Sequence, residues 1–244
     1  FKDIFINPAC SDTGIPIGAA LYGFHYLAKK QKNYKHISPY IGPEYSDEQI
    51  IKAINSHTGF ALVSENAFEK AASIVNKGNI LGFFQGRSEM GPRALGNRSI
   101  IMSPLKAENK DILNARVKFR EAFRPFAPAI LDEKKEEYYI IDRESPYMLL
   151  VPEVKYEKKE ILKAVTHVDG TGRLQTVKKD FNLKFYKLIE NFNRETGTPV
   201  LLNTSFNVAG EPIVETPEDA IKCFLKTDID ALLLENYLLI KDKN

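Results

Sequence analysis

Long apolar runs are missing from this chain of 244 residues. Its longest candidates, Ile80–Phe84 and Tyr147–Val151, have the length of single strands, whereas a membrane-spanning helix needs about 18 apolar residues. Cysteine is also scarce, because only Cys10 and Cys223 occur, and their separation does not match a metal-ligand spacing. We therefore expect no membrane partner and reduced thiols in a cytoplasmic protein.

The N-terminus shows neither an initiator methionine nor a signal peptide. The chain begins at Phe1, and its first residues already have the character of a domain interior, so we expect a fragment of a longer protein. Hydrophobic residues make up 43% of the chain and charged residues 27%, which is ordinary for a soluble globular protein.

Positive charge is concentrated in one part of the sequence. Between residues 85 and 124 there are nine basic and four acidic residues, whereas the net charge of the whole chain is only +2. A concentrated cationic stretch predicts an anionic ligand, which could be a nucleic-acid backbone or a small polyphosphate.

Hydrophobic periodicity and turn residues predict an α+β fold, with a twisted open mixed sheet and helices. The predicted strands are Phe1–Ile6, Ile80–Phe84, Ser99–Met102, Phe126–Leu131, Tyr147–Val154, Gln175–Val177, Val200–Asn203 and an edge hairpin of Ala231–Leu234 with Tyr237–Ile240. The predicted helices are Ile17–Lys30, Ser46–Asn55, Glu65–Asn76, Lys106–Val117, Phe181–Thr196 and Thr216–Phe224. Proline and glycine around residues 32–60 indicate a linker between a piece at 1–31 and a domain at 61–244.

Two basic segments have the composition of an anion site. Residues 84–99 (FQGRSEMGPRALGNRS) follow a predicted strand and combine glycines, which allow close approach of the backbone, with Arg87, Arg93 and Arg98. This is not a Walker loop, because no Gly-Lys-Ser/Thr ends it. In residues 117–127, Lys118 and Arg120 would share a face if the segment were extended. A solvated basic loop or a charged surface is the alternative for each segment.

Two further segments supply polar side chains. In residues 164–175, His167 and Asp169 alternate before a glycine-framed turn that leads to Arg173; a structural histidine is the alternative there. In residues 201–213, a buried strand ends in four short hydrogen-bonding side chains. They are Asn203, Thr204, Ser205 and Asn207. Ligands of open sheets gather at the carboxyl ends of strands, although a simple turn would look the same.

Together these four segments closely resemble the C-terminal, YrdC-like domain of the O-carbamoyltransferases, typified by nodulation proteins and antibiotic-tailoring enzymes. The resemblance spans about residues 60–240. Lys118-x-Arg120 and Ser205-x-Asn207 are also similar to the signature of threonylcarbamoyl-adenylate synthases, which share this fold. The resemblance implies that carbamoyl phosphate and ATP, with Mg²⁺, are converted to carbamoyl-adenylate. An N-terminal ASKHA-type domain then transfers the carbamoyl group to a substrate hydroxyl.

The resemblance also implies roles for individual residues. Catalysis is assigned to Arg93, Lys118, Arg124, Arg173 and Ser205. Nucleotide binding or support of the same anion site is assigned to Arg98, Arg120, His167, Asn203 and Asn207. Residues 7–20 resemble the last ligand loop of the ASKHA-type domain, where the residue matching Asp12 binds a divalent metal such as iron. The paired histidines of that metal site are absent from this sequence, and a turn residue is the alternative for Asp12.

Two rival functions fit parts of the same pattern. One is a threonylcarbamoyl-adenylate synthase, which would use bicarbonate and threonine. The other is an RNA-binding module, suggested by the cationic 85–124 stretch. Nucleic-acid surfaces are usually strongly basic overall, whereas the pI of this sequence is only about 8.3. Small anionic substrates are therefore favoured over nucleic acid.

Overall fold

A single mixed sheet of eight strands organises the chain in the computed structural model, which describes residues 6–31, 38–121 and 123–242. The strands are β1 (Phe60–Val63), β2 (Leu81–Phe84), β3 (Arg98–Met102), β4 (Ala127–Leu131), β5 (Gln175–Val177), β6 (Val200–Ser205), β7 (Ala231–Leu234) and β8 (Tyr237–Lys241). Their order is β1-β8-β7-β2-β3-β6-β4-β5. The pairs β2–β7 and β4–β5 are parallel and the others antiparallel, so the predicted α+β class with a mixed sheet is confirmed.

Helices cover both faces of the sheet. They are α1 (Ile15–Tyr22), α2 (Asp47–Asn55), α3 (Ala67–Asn76), α4 (Glu108–Leu113), α5 (Lys135–Tyr138), α6 (Leu183–Thr196) and α7 (Pro217–Lys226). Buried residues of α2 and α7 join one hydrophobic cluster, and those of α3 and α6 join another on the opposite face. Because both faces are covered, the central strands β2, β3 and β4 are buried along their whole length.

Local sequence signals account for where several helices begin. Ser46 accepts a hydrogen bond from the backbone of Gln49, whose side chain bonds back to Ser46, so the predicted capping box is present at α2. Thr216 and Asp219 form a second capping box at α7, with Pro217 as the first helical residue. These caps satisfy backbone N–H groups that have no partner within the helix.

The segment predicted as a linker contributes to the core at one place. Ile50 and Ile54 on α2 are buried in the same cluster as the inner residues of β2 and β7. Before α2, the backbone at Pro39 and Gly42 bonds to residues 88–90. Residues 39–55 thus pack on the sheet and lie beside the loop between β2 and β3.

Two strand predictions differ from the structure. Tyr147–Val154 is not a strand and makes only isolated bridges, through Leu150, Glu153 and Val154. Pro152 has no N–H to donate and Met148 has φ +59, both of which interrupt a ladder. The predicted hairpin of β7 and β8 is present, but it is not at the edge, because β1 pairs outside β8. The predicted strand at 1–6 lies mostly outside the described residues.

The predicted helix near the N-terminus is present as α1 followed by a π-helical turn, Gly23–Leu27. No residue of either element is buried, although Tyr26 and Leu27 are large and apolar and are 68% and 67% exposed. Within the described residues, no helix is long and apolar enough to cross a bilayer.

Candidate active site at one edge of the sheet

The sheet topology brings all four predicted segments to the same edge. In the antiparallel pairs, the end of β2 lies beside the start of β3, and the end of β6 lies beside the starts of β3 and β4. The strand β5 runs parallel to β4 and therefore starts at this edge too. The segments at this edge are residues 85–97, 119–121 with 123–126, 167–174 and 206–213. We call this end of the sheet, with its four segments, the cationic edge.

Lys118 is the most deeply buried cation of this edge, with an exposed fraction of 5%. Its ammonium donates to the backbone and side-chain oxygens of Ser205 and of Asn207, at 2.8 to 3.2 Å. Ser205 in turn donates to the Oδ1 atom of Asn207 at 2.6 Å. Burial, followed by the nearby charge of Arg120, lowers the pKa of Lys118 to about 7. These acceptors are uncharged, so the protonated side chain of Lys118 retains a net positive charge.

The backbone around Lys118 is not the extended segment that alternation predicts. Residues Asn114–Lys118 form a π-helical turn, and Phe119 then adopts a left-handed conformation with φ 44°. This conformation is uncommon for a bulky residue. The left-handed residue reverses the chain, so Lys118 and Arg120 are neighbours because of a turn rather than because of alternation.

Arginine side chains surround Arg173. Burial lowers the pKa of Arg173 to about 10, with further lowering by the charges of Arg93 and Arg120. Burial also lowers the pKa of Arg120, and the charge of Arg124 adds to that effect. The Nε atom of Arg173 is buried and has no hydrogen-bond partner within the described residues. Cations from three separate segments are therefore close enough to repel one another, which favours binding of a polyanion.

The other basic candidates differ in how available their side chains are to a ligand. Arg93 is exposed. Arg124 is exposed and forms an ion pair with Glu121 at 2.8 Å. Arg120 donates to Asn114 at 2.8 Å and stacks over the ring of Phe126. An exposed pair such as that of Arg124 is weak, so its guanidinium can exchange Glu121 for a substrate phosphate.

Arg98 lies inside the protein rather than at the cationic edge. It is 1% exposed, stacks over the ring of Phe84 and donates to the backbone oxygens of Gln85 and Asn97. A guanidinium occupied in this way supports the fold of the 85–97 segment. We therefore do not place Arg98 among the groups that face a ligand.

Two polar candidates also make internal contacts. Asn203 is buried and donates to the backbone oxygen of Ala94 and to the side chain of Gln175. His167 is half-buried, its Nδ1 lies 3.1 Å from the hydroxyl of Thr171, and burial lowers its pKa. The charge of Arg173 lowers the pKa of His167 further, so the histidine lies beside the arginine group, whereas Asn203 lies behind it.

Two glycines of the 84–99 segment, Gly91 and Gly96, serve internal packing. Gly96 has φ +100, and a Cβ atom there would lie 2.2 Å from the ring of Phe185. At Gly91, with φ +96, a Cβ atom would lie 2.7 Å from the backbone oxygen of Pro8. The predicted reason for these two glycines, close approach to a ligand, is therefore replaced by close approach to the protein itself.

An acidic residue that the sequence analysis did not single out holds this segment together. The Oε1 atom of Glu89 accepts hydrogen bonds from the backbone N–H groups of Leu95, Asn97 and Arg98. Burial raises the pKa of Glu89, although these backbone bonds oppose the shift. The sequence does contain a signal for this role, because Glu89 is the one acidic residue in a loop that is rich in glycine and arginine.

The predicted metal residue, Asp12, does not belong to a metal-binding cluster within the part of the chain that the structure describes. Asp12 is exposed in a short 3₁₀-helix, Ser11–Gly14. Across the described ranges, no group of three or more His, Cys, Asp and Glu residues is arranged to hold a metal ion. The residues present here do not by themselves fit the divalent metal that the ASKHA-type loop implies.

A cavity of about 1030 Å³ is lined by Ile6, Lys135 and residues of the 140–152 segment. None of the cations described above contributes to its lining. The chemistry of the lining is mixed and partly apolar, so size alone does not identify this cavity as the site. We locate the candidate site by the convergence of charges.

Comparison with known proteins decides the family. Residues 72–241 match the family described as Carbamoyltransferase C-terminus. The chain belongs to the carbamoyltransferase family. The matched range includes each of the four segments of the cationic edge, so this edge is part of the domain that defines the carbamoyltransferase C-terminus.

Among similar proteins of this carbamoyltransferase family, Nodulation protein NolO of Bradyrhizobium diazoefficiens is 43% identical, over 99% of this chain and 45% of its own length. Nodulation protein NolNO of Sinorhizobium fredii is 42% identical, over 99% of this chain and 36% of its own length. A crystal structure of full-length HypF in the phosphate- and nucleotide-bound form aligns with a TM-score of 0.49 and 20% identity, over 76% of this chain and 22% of that chain. The chain thus spans less than half the length of these relatives.

Proposed function

We propose that this domain binds carbamoyl phosphate and ATP at the cationic edge and forms carbamoyl-adenylate for an O-carbamoyltransferase. The observation that carries the proposal is the convergence of Arg93, Lys118, Arg120 and Arg173 from separate parts of the chain. Both substrates carry several negative charges, and the arginines present forked donors that suit phosphate. Membership in the carbamoyltransferase family supplies the identity of the transferred group.

The proposed chemistry is hydrolysis of an acyl phosphate followed by adenylyl transfer, without a protein nucleophile. Water cleaves carbamoyl phosphate to carbamate and phosphate. A carbamate oxygen then forms a bond to the α-phosphorus of ATP, and the bond from that phosphorus to the bridging oxygen of the β-phosphate breaks, releasing pyrophosphate. Such reactions depend on positioning and on stabilisation of charge that develops on phosphoryl oxygens. ATP would bring its own Mg²⁺ as part of the substrate.

Each residue of the edge has a role in this proposal. Arg93 and Arg124, which are exposed, would bind the outer phosphate oxygens, while the half-buried Arg173 would bind deeper in the site. Lys118 would place one compact positive charge beside the reacting phosphorus. Ser205 and Asn207 orient Lys118 through four hydrogen bonds, and in this proposal their side chains would exchange internal contacts for a phosphate or ribose oxygen. His167 and Asn203 would complete the site.

The second half of the proposed activity belongs to a larger protein. The curated relatives continue beyond the region that this chain matches, and transfer of the carbamoyl group to a substrate hydroxyl is proposed for an ASKHA-type domain of the complete enzyme. Asp12 would contribute to the metal site of that domain together with residues outside this sequence.

The decisive experiment is exchange of labelled pyrophosphate into ATP. Exchange that requires carbamoyl phosphate supports the proposal. Exchange that instead requires threonine and bicarbonate would make the domain a threonylcarbamoyl-adenylate synthase. Absence of exchange with either set of substrates, in protein that binds ATP, would show that adenylate formation does not occur here.

Two exposed aromatic side chains support a second candidate, single-stranded RNA binding. Phe119 and Phe123 are 64% and 79% exposed and lie beside Arg120 and Arg124. Aromatic rings next to cations stack on nucleobases irrespective of sequence. A gel-shift titration with single-stranded RNA tests this function, since binding through phosphate contacts must weaken steeply as salt increases. Binding that is absent at low salt would remove RNA as a ligand.

A further inference from the structure

The loop that carries Arg93 is held at both ends by hydrogen bonds to residues from distant parts of the sequence. At its start, the backbone N–H of Met90 donates to the oxygen of Pro39 at 2.6 Å. At its end, the backbone oxygen of Leu95 accepts from Gln175 at 2.8 Å and from the hydroxyl of Tyr40 at 2.9 Å. The path of this loop is therefore fixed by contacts and not by a helix or strand.

Glu89 makes the bonds that close the loop. Its Oε1 atom lies 2.7 Å from the backbone nitrogens of both Leu95 and Asn97, and 3.2 Å from that of Arg98. Residues 90–94, including Arg93, lie between the acid and the first of these nitrogens. Three backbone N–H groups are directed at one side-chain oxygen, which closes the loop on a single acceptor. Removing the oxygen leaves all three donors without this partner.

We propose that Glu89 is a positioning residue for adenylate formation, acting through the backbone to hold Arg93 at the cationic edge. This inference rests on the function proposed above and adds a residue to it. Glu89 does not contact substrate, because its oxygen is occupied by the loop. What the loop requires is an acceptor oxygen at this point, and a glutamine supplies one whereas an alanine does not.

The first test compares variants at one position. Glu89→Ala should lower carbamoyl-phosphate-dependent exchange about 100-fold, the loss that follows when a reacting group is displaced by about 1 Å. Glu89→Gln should stay within about threefold of the wild type, because its side-chain oxygen can accept the same backbone bonds. The control is Glu44→Ala, which removes an exposed acid that pairs only weakly with Arg87 at 3.6 Å. A full loss in Glu89→Gln would overturn the acceptor argument.

The second test asks whether Glu89 acts through Arg93. If it does, Glu89→Ala should have little further effect in protein that already carries Arg93→Ala, whereas general destabilisation would add its full effect to that of Arg93→Ala. Additive losses would therefore refute the proposal. If Glu89→Ala does not fold, Glu89→Asp serves the same cycle, since its side chain is shorter by one C–C bond of about 1.5 Å.

A third measurement separates failure of this inference from failure of the proposed function. Amide hydrogen exchange of Leu95 and Asn97 should lose protection in Glu89→Ala and keep it in Glu89→Gln, whatever reaction the domain catalyses. If the wild type shows no pyrophosphate exchange, the affinity for inorganic pyrophosphate, measured by calorimetry, replaces activity as the readout of the same double-mutant cycle. Unchanged protection in Glu89→Ala, or additive losses of binding, would end the proposal.

Discussion

The ammonium of Lys118 lies 2.8 Å from the Oδ1 atom of Asn207, which is 89 residues away in sequence. This bond joins the π-helical turn before β4 to the segment after β6. It places one cation between two of the four segments that form the cationic edge. The positive charge is thus fixed by uncharged acceptors and not neutralised by an acid.

Replacement of Arg93 tests the outer part of the site. Arg93→Ala should remove about 2–4 kcal/mol of transition-state stabilisation, the usual cost of losing one oriented donor. The expected loss of kcat/KM is therefore about 30- to 1000-fold, measured by carbamoyl-phosphate-dependent exchange. Arg87→Ala is the matched control, because Arg87 is on the same segment but its side chain is 51% exposed and faces Glu44. Equal activity of both variants would show that Arg93 does not act in the site.

Lys118→Arg tests the need for a compact charge. The ammonium fits among the oxygens of Ser205 and Asn207 at 2.8 to 3.2 Å, and a planar guanidinium cannot match that arrangement. We expect a loss of exchange activity of about 100-fold, with Lys106→Arg on the exposed surface as the control. A fully active Lys118→Arg would show that the geometry around this cation is loose.

The lowered pKa of Lys118 predicts uptake of a proton on ligand binding. Because that pKa is about 7, Lys118 is mostly neutral at pH 8. A bound polyanion favours the charged form and raises the pKa, so the complex takes up close to one proton. Calorimetric titration of an ATP analogue at pH 8, in buffers that differ in ionisation enthalpy, measures this uptake. It should disappear in Lys118→Met, and equal uptake in both proteins would contradict the prediction.

Substitution of Gly96 tests the packing behind the site. Gly96→Ala should destabilise the protein by about 2–4 kcal/mol, because it combines a strained φ with overpacking against a buried ring. Gly197→Ala is the control, since Gly197 also has a positive φ but has no atom within 4 Å of its added Cβ. The difference between the two midpoints of urea unfolding isolates the contact with Phe185. Similar midpoints would show that the ring of Phe185 moves aside with little loss in the free energy of unfolding.

Much of the fold follows from local patterns in the sequence. Buried strands such as β2 and β4 are short apolar runs bounded by turn residues, and the starts of α2 and α7 are marked by capping residues. The convergence of charged segments could also be anticipated from their composition and from the family resemblance. The strands and the caps depend on residues that are close together in sequence, whereas the convergence was expected from the family resemblance.

The parts that could not be predicted depend on contacts between distant residues. Gly96 is explained by Phe185, and the burial of Arg98 is explained by its position over Phe84 and between backbone oxygens. The strand β1 was missed because it is a four-residue edge strand with a partly exposed burial pattern. Composition reveals which side chains are present, whereas three-dimensional packing decides which of them face solvent.

The mutual repulsion around Arg173 has a practical consequence for handling the protein. Its charge is crowded by those of Arg93 and Arg120, so small inorganic anions relieve the crowding when they bind. Phosphate or sulfate buffers should raise the melting temperature and at the same time compete with substrate. Assays carried out in such buffers would underestimate turnover, whereas storage in them would prolong the lifetime of the sample.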